Sequence, residues 1–322
     1  MNLLQQQARN RRRTWVVMIV FIAFLFALGY GFDLAYLGTP LPVAGLLALA
    51  VGTASAAGGY FRGDRAVLAS SHAVPIGEAL AGVPAADNRL KLTQVENVVE
   101  EVAIAAGLPK PSVYVIPDSD PNAFATGRDP EHASIAVTQG LVDALTREEL
   151  QGVVAHEMSH VRNYDIRLMT LVAALVGAVV LLSDWAARGL WWGGGRRGGS
   201  RGRGGGSLGI LFLVLWIVGI ILAPIVGQML AMLVSRQREY LADASGAELT
   251  RNPLALASAL QKIESAAEPT ESIKRGTANL CIADPLGRKV GLREGGFADL
   301  FASHPPMVKR IAALHTMAYQ QG

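Results

Sequence analysis

Apolar positions along the chain fall into two rhythms, one continuous and one periodic. Four runs have no polar face: Thr14 to Phe32, about Leu41 to Tyr60, Ile166 to Trp192, and Leu208 to Val234. Each is long enough to cross the hydrocarbon of a bilayer as a helix. Between and after them the pattern becomes periodic. Leu92, Val95, Val98, Val99, Val102 and Ala106 recur at helical spacing from Asn88 to Gly107, where a glycine and Pro109 end the helix. Ser112 to Ile116, Pro121 to Gly127 and Ser134 to Thr138 read as short strands, and Gln139 to Leu145 as a helix. Thr146 and Glu149 then form a T-x-x-E capping box, so a further helix starts at Arg147 with Leu150, Val153, Val154 and Val161 as its apolar stripe. Ser235 to Leu249 predicts a charged helix, and Asn252-Pro253 opens another that runs to about Glu264. Pro269 to Ala302 is irregular, and Ser303-His304-Pro305-Pro306 begins a last helix to about Ala318. These elements predict an α+β fold, mostly helical, with a small sheet.

The continuous runs divide the chain into four parts. Residues 1–62 make an anchor of two transmembrane helices, and 63–165 the first part of a folded domain, opening on a less regular stretch around Ser71, His72 and Pro75. Residues 166–234 make a hydrophobic hairpin around a Gly/Arg-rich loop, and 235–322 complete the domain. A removed signal peptide is excluded for the first run, because its apolar stretch is too long and continues through Gly31, Phe32 and Asp33 without a small-residue cleavage site. Composition agrees with a membrane protein: 51% of residues are hydrophobic and only 17% charged, too oily for a soluble chain of 322 residues.

Charge adds orientation. Arg9, Arg11, Arg12 and Arg13 precede the first run, Arg62 and Arg65 follow the second, and the connection from Asp33 to Pro40 has no basic residue, so both outer ends face the cytoplasm. Arg196, Arg197, Arg201 and Arg203 in the glycine-rich loop oppose that tendency if both central runs span. A full hairpin and one that enters only partway are both open. The net charge of +3 comes from arginine blocks beside apolar runs rather than interleaved with aromatics, which predicts lipid headgroups as partners and no nucleic acid. Cys281 stands alone, so there is no disulfide framework and no cysteine metal site. No feature of the pattern sets an oligomeric state.

The chemistry centres on VVAHEMSHVRNYD, Val153 to Asp165. Residues i and i+4 share a helical face, so His156 and His160 can bind one Zn²⁺ per chain while Glu157 stands beside the open position as general base toward a zinc-activated water. A third ligand is needed. In SRQREYLADASGAEL, Glu239 and Asp243 lie four apart on one face. Such a helix on its own is most often a solvated, salt-bridged one. Beside a HExxH helix that lacks a third ligand, Glu239 fills the vacancy and Asp243 accepts the second N–H of a ligating histidine. The PNAFATG stretch reads as an edge strand between turns. In a peptidase such an edge can bind extended substrate through its main chain, a role assigned to Asn122, Ala123, Phe124, Ala125 and Thr126. His72, His132 and His315 have no comparable support.

HEMSH followed by N-x-D, a hydrophobic hairpin and SRQREYLADASGA, with PNAFATG upstream and HPPMVKRI near the C-terminus, resembles the M48 family of membrane zinc metallopeptidases, its bacterial HtpX type above all. The likeness covers nearly the whole chain. It implies a gluzincin-type zinc metalloendopeptidase, multi-pass in the bacterial inner membrane with its peptidase domain in the cytoplasm, that turns over damaged membrane proteins as part of stress-responsive quality control. It also makes His304 and Arg310 candidates for stabilising the developing oxyanion or transiently blocking the metal. The Gly/Arg loop resembles no family motif. Three rivals are weighed against this reading. An intramembrane protease would embed HExxH in an apolar span, a prenyl-protein endopeptidase usually has more spans, and a non-catalytic zinc-containing scaffold or chaperone would not need Glu157.

Overall fold

The computed structural model describes residues 3–34, 39–82, 86–176, 236–266, 272, 280–283 and 305–321. Most of the hairpin, its Gly/Arg loop, His304 and most of Pro269 to Ala302 lie outside the described residues.

Two long helices open the chain, α1 (Leu3–Phe32) and α2 (Val43–Ser70). They pack antiparallel. Trp15 stacks on Tyr60 at one end, and at the other the Asp33 carboxylate accepts the backbone N–H groups of Ala44 and Gly45, both at 2.9 Å. Both helices are long and apolar enough to cross a membrane, and Trp15, Ile19, Val20, Leu46 and Leu47 remain exposed on them. Such surface suits lipid better than water.

Both helices exceed their expected lengths. The arginine block lies inside α1, since no glycine or proline interrupts the chain before Gly29. α2 continues past residue 62 and replaces the irregular stretch expected there. Val67 and Leu68 in its last turns bury against Ile116, Phe124 and Ala136, so the anchor and the domain share one helix.

The domain proper begins with β1 (Val74–Pro75) and the helices α3 (Ile76–Gly82) and α4 (Ala86–Ala106). The α4 stripe is buried as its spacing predicts, with Leu92, Val95, Val98, Val99 and Val102 at 2% exposure or less. β2 (Ser112–Ile116), β3 (Ala123–Gly127) and β4 (Ala133–Thr138) complete a four-stranded sheet of order β1-β2-β4-β3. β2 and β4 are parallel, while β3 runs antiparallel to β4 and forms one edge.

α5 (Gln139–Ala144) leads into α6 (Arg147–Arg162), which carries the HExxH residues. The capping box forms as expected: Thr146 accepts from Glu149 N–H, and the Glu149 carboxylate accepts from Thr146 N–H. A helix over 165–176, here α7, turns back along the anchor and packs Leu168, Leu171, Val172 and Leu175 on Val17 and Phe21 of α1. α8 (Arg236–Thr250), α9 (Pro253–Ser265) and α10 (Met307–Gln321) finish the fold. Asn252 caps α9 as expected, accepting from Ala255 N–H. The last helix is seen from Met307, after the two prolines, rather than from Ser303.

Candidate metal centre

α6 and α8 meet at close range because one contact has no side chain. A Cβ on Gly246 would lie 3.0 Å from His156 N and 3.2 Å from Ala155 C, so any larger residue would push α8 off the histidine helix. The approach brings His156, His160 and Glu239 together, all buried, with one ligand atom from each within 4.8 Å of the others. The two Nε2 atoms are 3.3 Å apart, His160 Nε2 lies 3.6 Å from Glu239 Oε1, and His156 Nε2 lies 3.9 Å from Glu239 Oε2.

The donor set fits a zinc ion. Two nitrogens each bound to a tetrahedral zinc at its usual distance stand about 3.3 Å apart. The far side of each ring supports the same reading. His156 Nδ1 lies 2.9 Å from Asp243 Oδ1, and His160 Nδ1 lies 3.2 Å from Asp165 Oδ2. If each Nδ1–H donates to its carboxylate, each Nε2 keeps a lone pair, and both lone pairs face the Glu239 carboxylate. Such a cluster of acceptors asks for a cation.

Electrostatics describe the same need. Burial alone would lower the His160 pKa, but the hydrogen bond to Asp165 and the charges of Glu239, Asp165 and Glu157 raise it to about 9. Without a metal, a proton would take the cation's place. Burial pushes Glu157 up, with Glu239 adding to the rise against the opposing influence of His156 and His160. One Glu157 oxygen accepts from Ala125 N–H, while buried Oε2 has no hydrogen-bond partner. Burial would also raise Asp243, yet Arg310 and His156 hold it at about 2.

Arg310 reaches this centre from α10, fully buried. Its Nε and Nη2 donate to the two Asp243 oxygens at 2.8 and 2.7 Å, Nη1 donates to Ile282 O at 3.0 Å, and Nη1 stands 3.4 Å from Glu239 Oε2. Burial would lower its pKa, but Asp243 and Glu239 raise it further above an already high value.

Other expectations meet a more mixed outcome. β3 is an edge strand beside α6, but its outer side is already in use: Ala123 C=O accepts from Ile282 N–H at 2.9 Å, and Phe124 bridges Cys281. Asn122 and Thr126 are buried too, and Thr126 shares a hydrogen bond of 2.8 Å with Thr170 of α7. His72 and His315 are exposed, and His132 pairs with Asp129; none joins the centre. Sequence reasoning missed the roles of Asp165, Arg238, Gln7 and Asn10. The N-x-D after HEMSH was the only local hint.

The sequence model of Peptidase family M48 matches residues 89–318. The chain belongs to that family. The "Protease HtpX homolog" of Thermoanaerobacter pseudethanolicus is 43% identical over 316 residues, 98% of each chain. That of Streptococcus gordonii is 38% identical over 315 residues, 98% of this chain and all of its own. Among solved structures, the crystal structure of S. mikatae Ste24p is similar at 18% identity and a TM-score of 0.48, covering 94% of this chain and 66% of that one. As an M48 member of HtpX type with two helices fit to span a bilayer, the chain is a membrane metalloprotease.

Proposed function

We propose that this M48 peptidase is a zinc-dependent endopeptidase of the bacterial inner membrane, holding one Zn²⁺ on His156, His160 and Glu239 and hydrolysing damaged or misfolded membrane proteins. The observation that carries the reading is the convergence of two buried Nε2 atoms and the Glu239 carboxylate beside a Glu157 oxygen that has no other partner. When bound, the ion supplies Lewis acidity that acidifies water and polarises a carbonyl.

Glu157 would serve as the general base toward a water held at the site. Burial raises its proton affinity, and Ala125 N–H anchors one oxygen so that Oε2 is free to accept the proton and hand it to the leaving amine. Asp243 fixes the His156 tautomer. Arg310 directs its N–H groups at Asp243, Ile282 O and Glu239, with Nη2 also 3.4 Å from His156 Nδ1 and Nε2, so its part is to hold the carboxylates and the His156 ring, leaving His304 as the candidate donor to the oxyanion. Extended polypeptide pairs with the β3 edge between Asn122 and Thr126, which requires residues 281–282 to give up Ala123 and leaves the Ala125 N–H on Glu157.

The four-part organisation, 1–62, 63–165, 166–234 and 235–322, places a domain divided by the hairpin on the cytoplasmic face. Proximity supports a shared side for the start of α1 and the domain: Gln7 donates to Arg162 O at 2.8 Å. The arginines at the outer ends make that side cytoplasmic.

The test uses full-length protein in detergent, bound zinc, and cleavage of an unfolded membrane protein. Glu157→Ala is expected to retain zinc and lose hydrolysis by about 100-fold or more. Glu239→Ala is expected to lose the metal. Zinc unchanged in Glu239→Ala would remove it from the ligand set, and zinc-loaded wild type without cleavage would favour the scaffold or chaperone reading.

A further inference from the structure

We propose that Asn10, at the N-terminal end of the first membrane helix, is a positioning residue of the metal centre that holds Asp165 and, through it, His160. The inference rests on the zinc reading above.

α6 ends at Arg162, and the last carbonyls of a helix have no donors of their own. Ser159 O and Val161 O take the N–H groups of Asn163 and Tyr164, and α1 supplies the donors beyond them. The Gln7 side-chain amide donates to Arg162 O at 2.8 Å, and that of Asn10 to Asn163 O at 2.9 Å. Gln7 and Asn10 are three residues apart and so share one face of α1. The Asn10 amide also donates to Asp165 Oδ1 at 2.7 Å. Asn10 is 1% exposed, and an amide so deeply buried is tolerated only when its donors are used.

Asp165 is thereby held on both oxygens. Oδ1 accepts from Asn10 and from Arg238 Nη1, the latter at 3.0 Å, while Oδ2 faces His160 Nδ1. A carboxylate fixed in this way cannot turn from the ring, so the direction of the His160 Nε2 lone pair depends on a contact made by the anchor. The turn that delivers Asp165 depends on α1 as well. Tyr164 sits at φ +59, a left-handed conformation that is strained for a residue with a side chain. Its ring lies under Arg11 of α1 at 4.5 Å and Arg167 of α7 at 5.0 Å, so α1 and α7 together hold the strained residue in place. The anchor therefore shapes the metal centre besides tethering it.

Zinc affinity tests this without any appeal to activity. Full-length protein in detergent competes for Zn²⁺ with a chromophoric chelator, and the thermal stability of the metal-free form is read in parallel. Asp165→Asn is expected to weaken zinc binding by about 10- to 100-fold, and Asn10→Ala, which leaves Arg238 on Asp165, by about 3- to 10-fold. Asn10→Asp sets a second carboxylate against Asp165 and should exceed Asn10→Ala. The double variant Asn10→Ala, Asp165→Asn should bind zinc no more weakly than Asp165→Asn alone, because both act through one contact. Exposed Gln5→Ala on the same helix should match wild type. If Asn10→Ala folds poorly, Asn10→Ser keeps a polar group, removes the second N–H and should shift affinity in the same direction. Wild-type zinc affinity in the Asn10 variants, with only the melting temperature lowered, would make Asn10 structural and overturn the proposal, as would additive losses in the double variant. A wild type that binds no zinc would fell the peptidase reading itself, and this inference with it.

Discussion

The two histidines of α6 are backed by carboxylates of opposite construction. Asp243, behind His156, stands one turn after Glu239 on the same helix, and both its oxygens are held by the Arg310 guanidinium at 2.8 and 2.7 Å. Asp165, behind His160, stands at the first position of α7, just after the turn, and is held by Arg238 and by the amide of Asn10, 155 residues away in sequence. The first support is closed within the last part of the chain and is ionic. The second is shared with the anchor and mixes an ion pair with a neutral hydrogen bond. The same chemical task on Nδ1 is thus done once by a self-contained module and once by a set of contacts of which one exists only when the anchor is docked.

The strongest way to break the comparison is Arg310→Met. It keeps the side chain's bulk but leaves the Asp243 charge buried without its clamp, and losing one partner of a buried ion pair costs about 3 to 5 kcal/mol. The shift of the denaturant midpoint in full-length protein measures it. Removing the neutral Asn10 donor should cost only about 1 to 3 kcal/mol. Equal losses at the two positions would mean that the guanidinium and the amide are interchangeable supports.

Asp243→Asn is a smaller perturbation. It keeps shape and one acceptor while removing the charge, so zinc affinity and turnover should each fall by about 10- to 100-fold. The variant should still cleave faster than Glu157→Ala and retain more metal than Glu239→Ala. Wild-type zinc content together with wild-type turnover would leave His156 without a working carboxylate, and only the Asp165 half of the comparison would stand.

Legibility follows the same division. His156, Glu157 and His160 could be read because a helix turns fixed spacing into a shared face, and Glu239 with Asp243 could be read for the same reason once a ligand was missing. The T-x-x-E box and the α4 stripe are local codes of that kind. Asp165 could not be read, because its place depends on a left-handed Tyr164 where glycine would be the usual marker. Asn10 lies between Arg9 and Arg11 with no spacing to mark it, and only the docking of α1 on α6 makes it part of the centre. Nor did PNAFATG reveal that Cys281 and Ile282 cover part of its edge, since pairing between distant segments leaves no periodic trace.

The smallest effect is expected at the other end of α6, where Glu149 supplies a baseline that touches neither histidine. Its carboxylate closes the capping box on Thr146 N–H and accepts from Ser258 Oγ and Lys262 Nζ, both at 2.7 Å. Burial would raise its pKa, but Lys262, Ser258 and the Thr146 N–H together hold it below the ordinary 4.5. A depressed carboxylate stabilises the fold fully above its unfolded value, and that contribution disappears as pH falls through the lowered folded value. Glu149→Gln preserves the box and removes the charge. It should destabilise full-length protein by about 0.5 to 1 kcal/mol at pH 7, the scale of a partly exposed ion pair. The gap from wild type should stay constant above the ordinary carboxylate range and close as pH falls through the lowered folded value. Zinc affinity at pH 7 should not change. If Glu149→Gln weakened zinc binding as much as Asn10→Ala, any loosening of α6 would disturb the metal, and the special link between the anchor and His160 would lose its support.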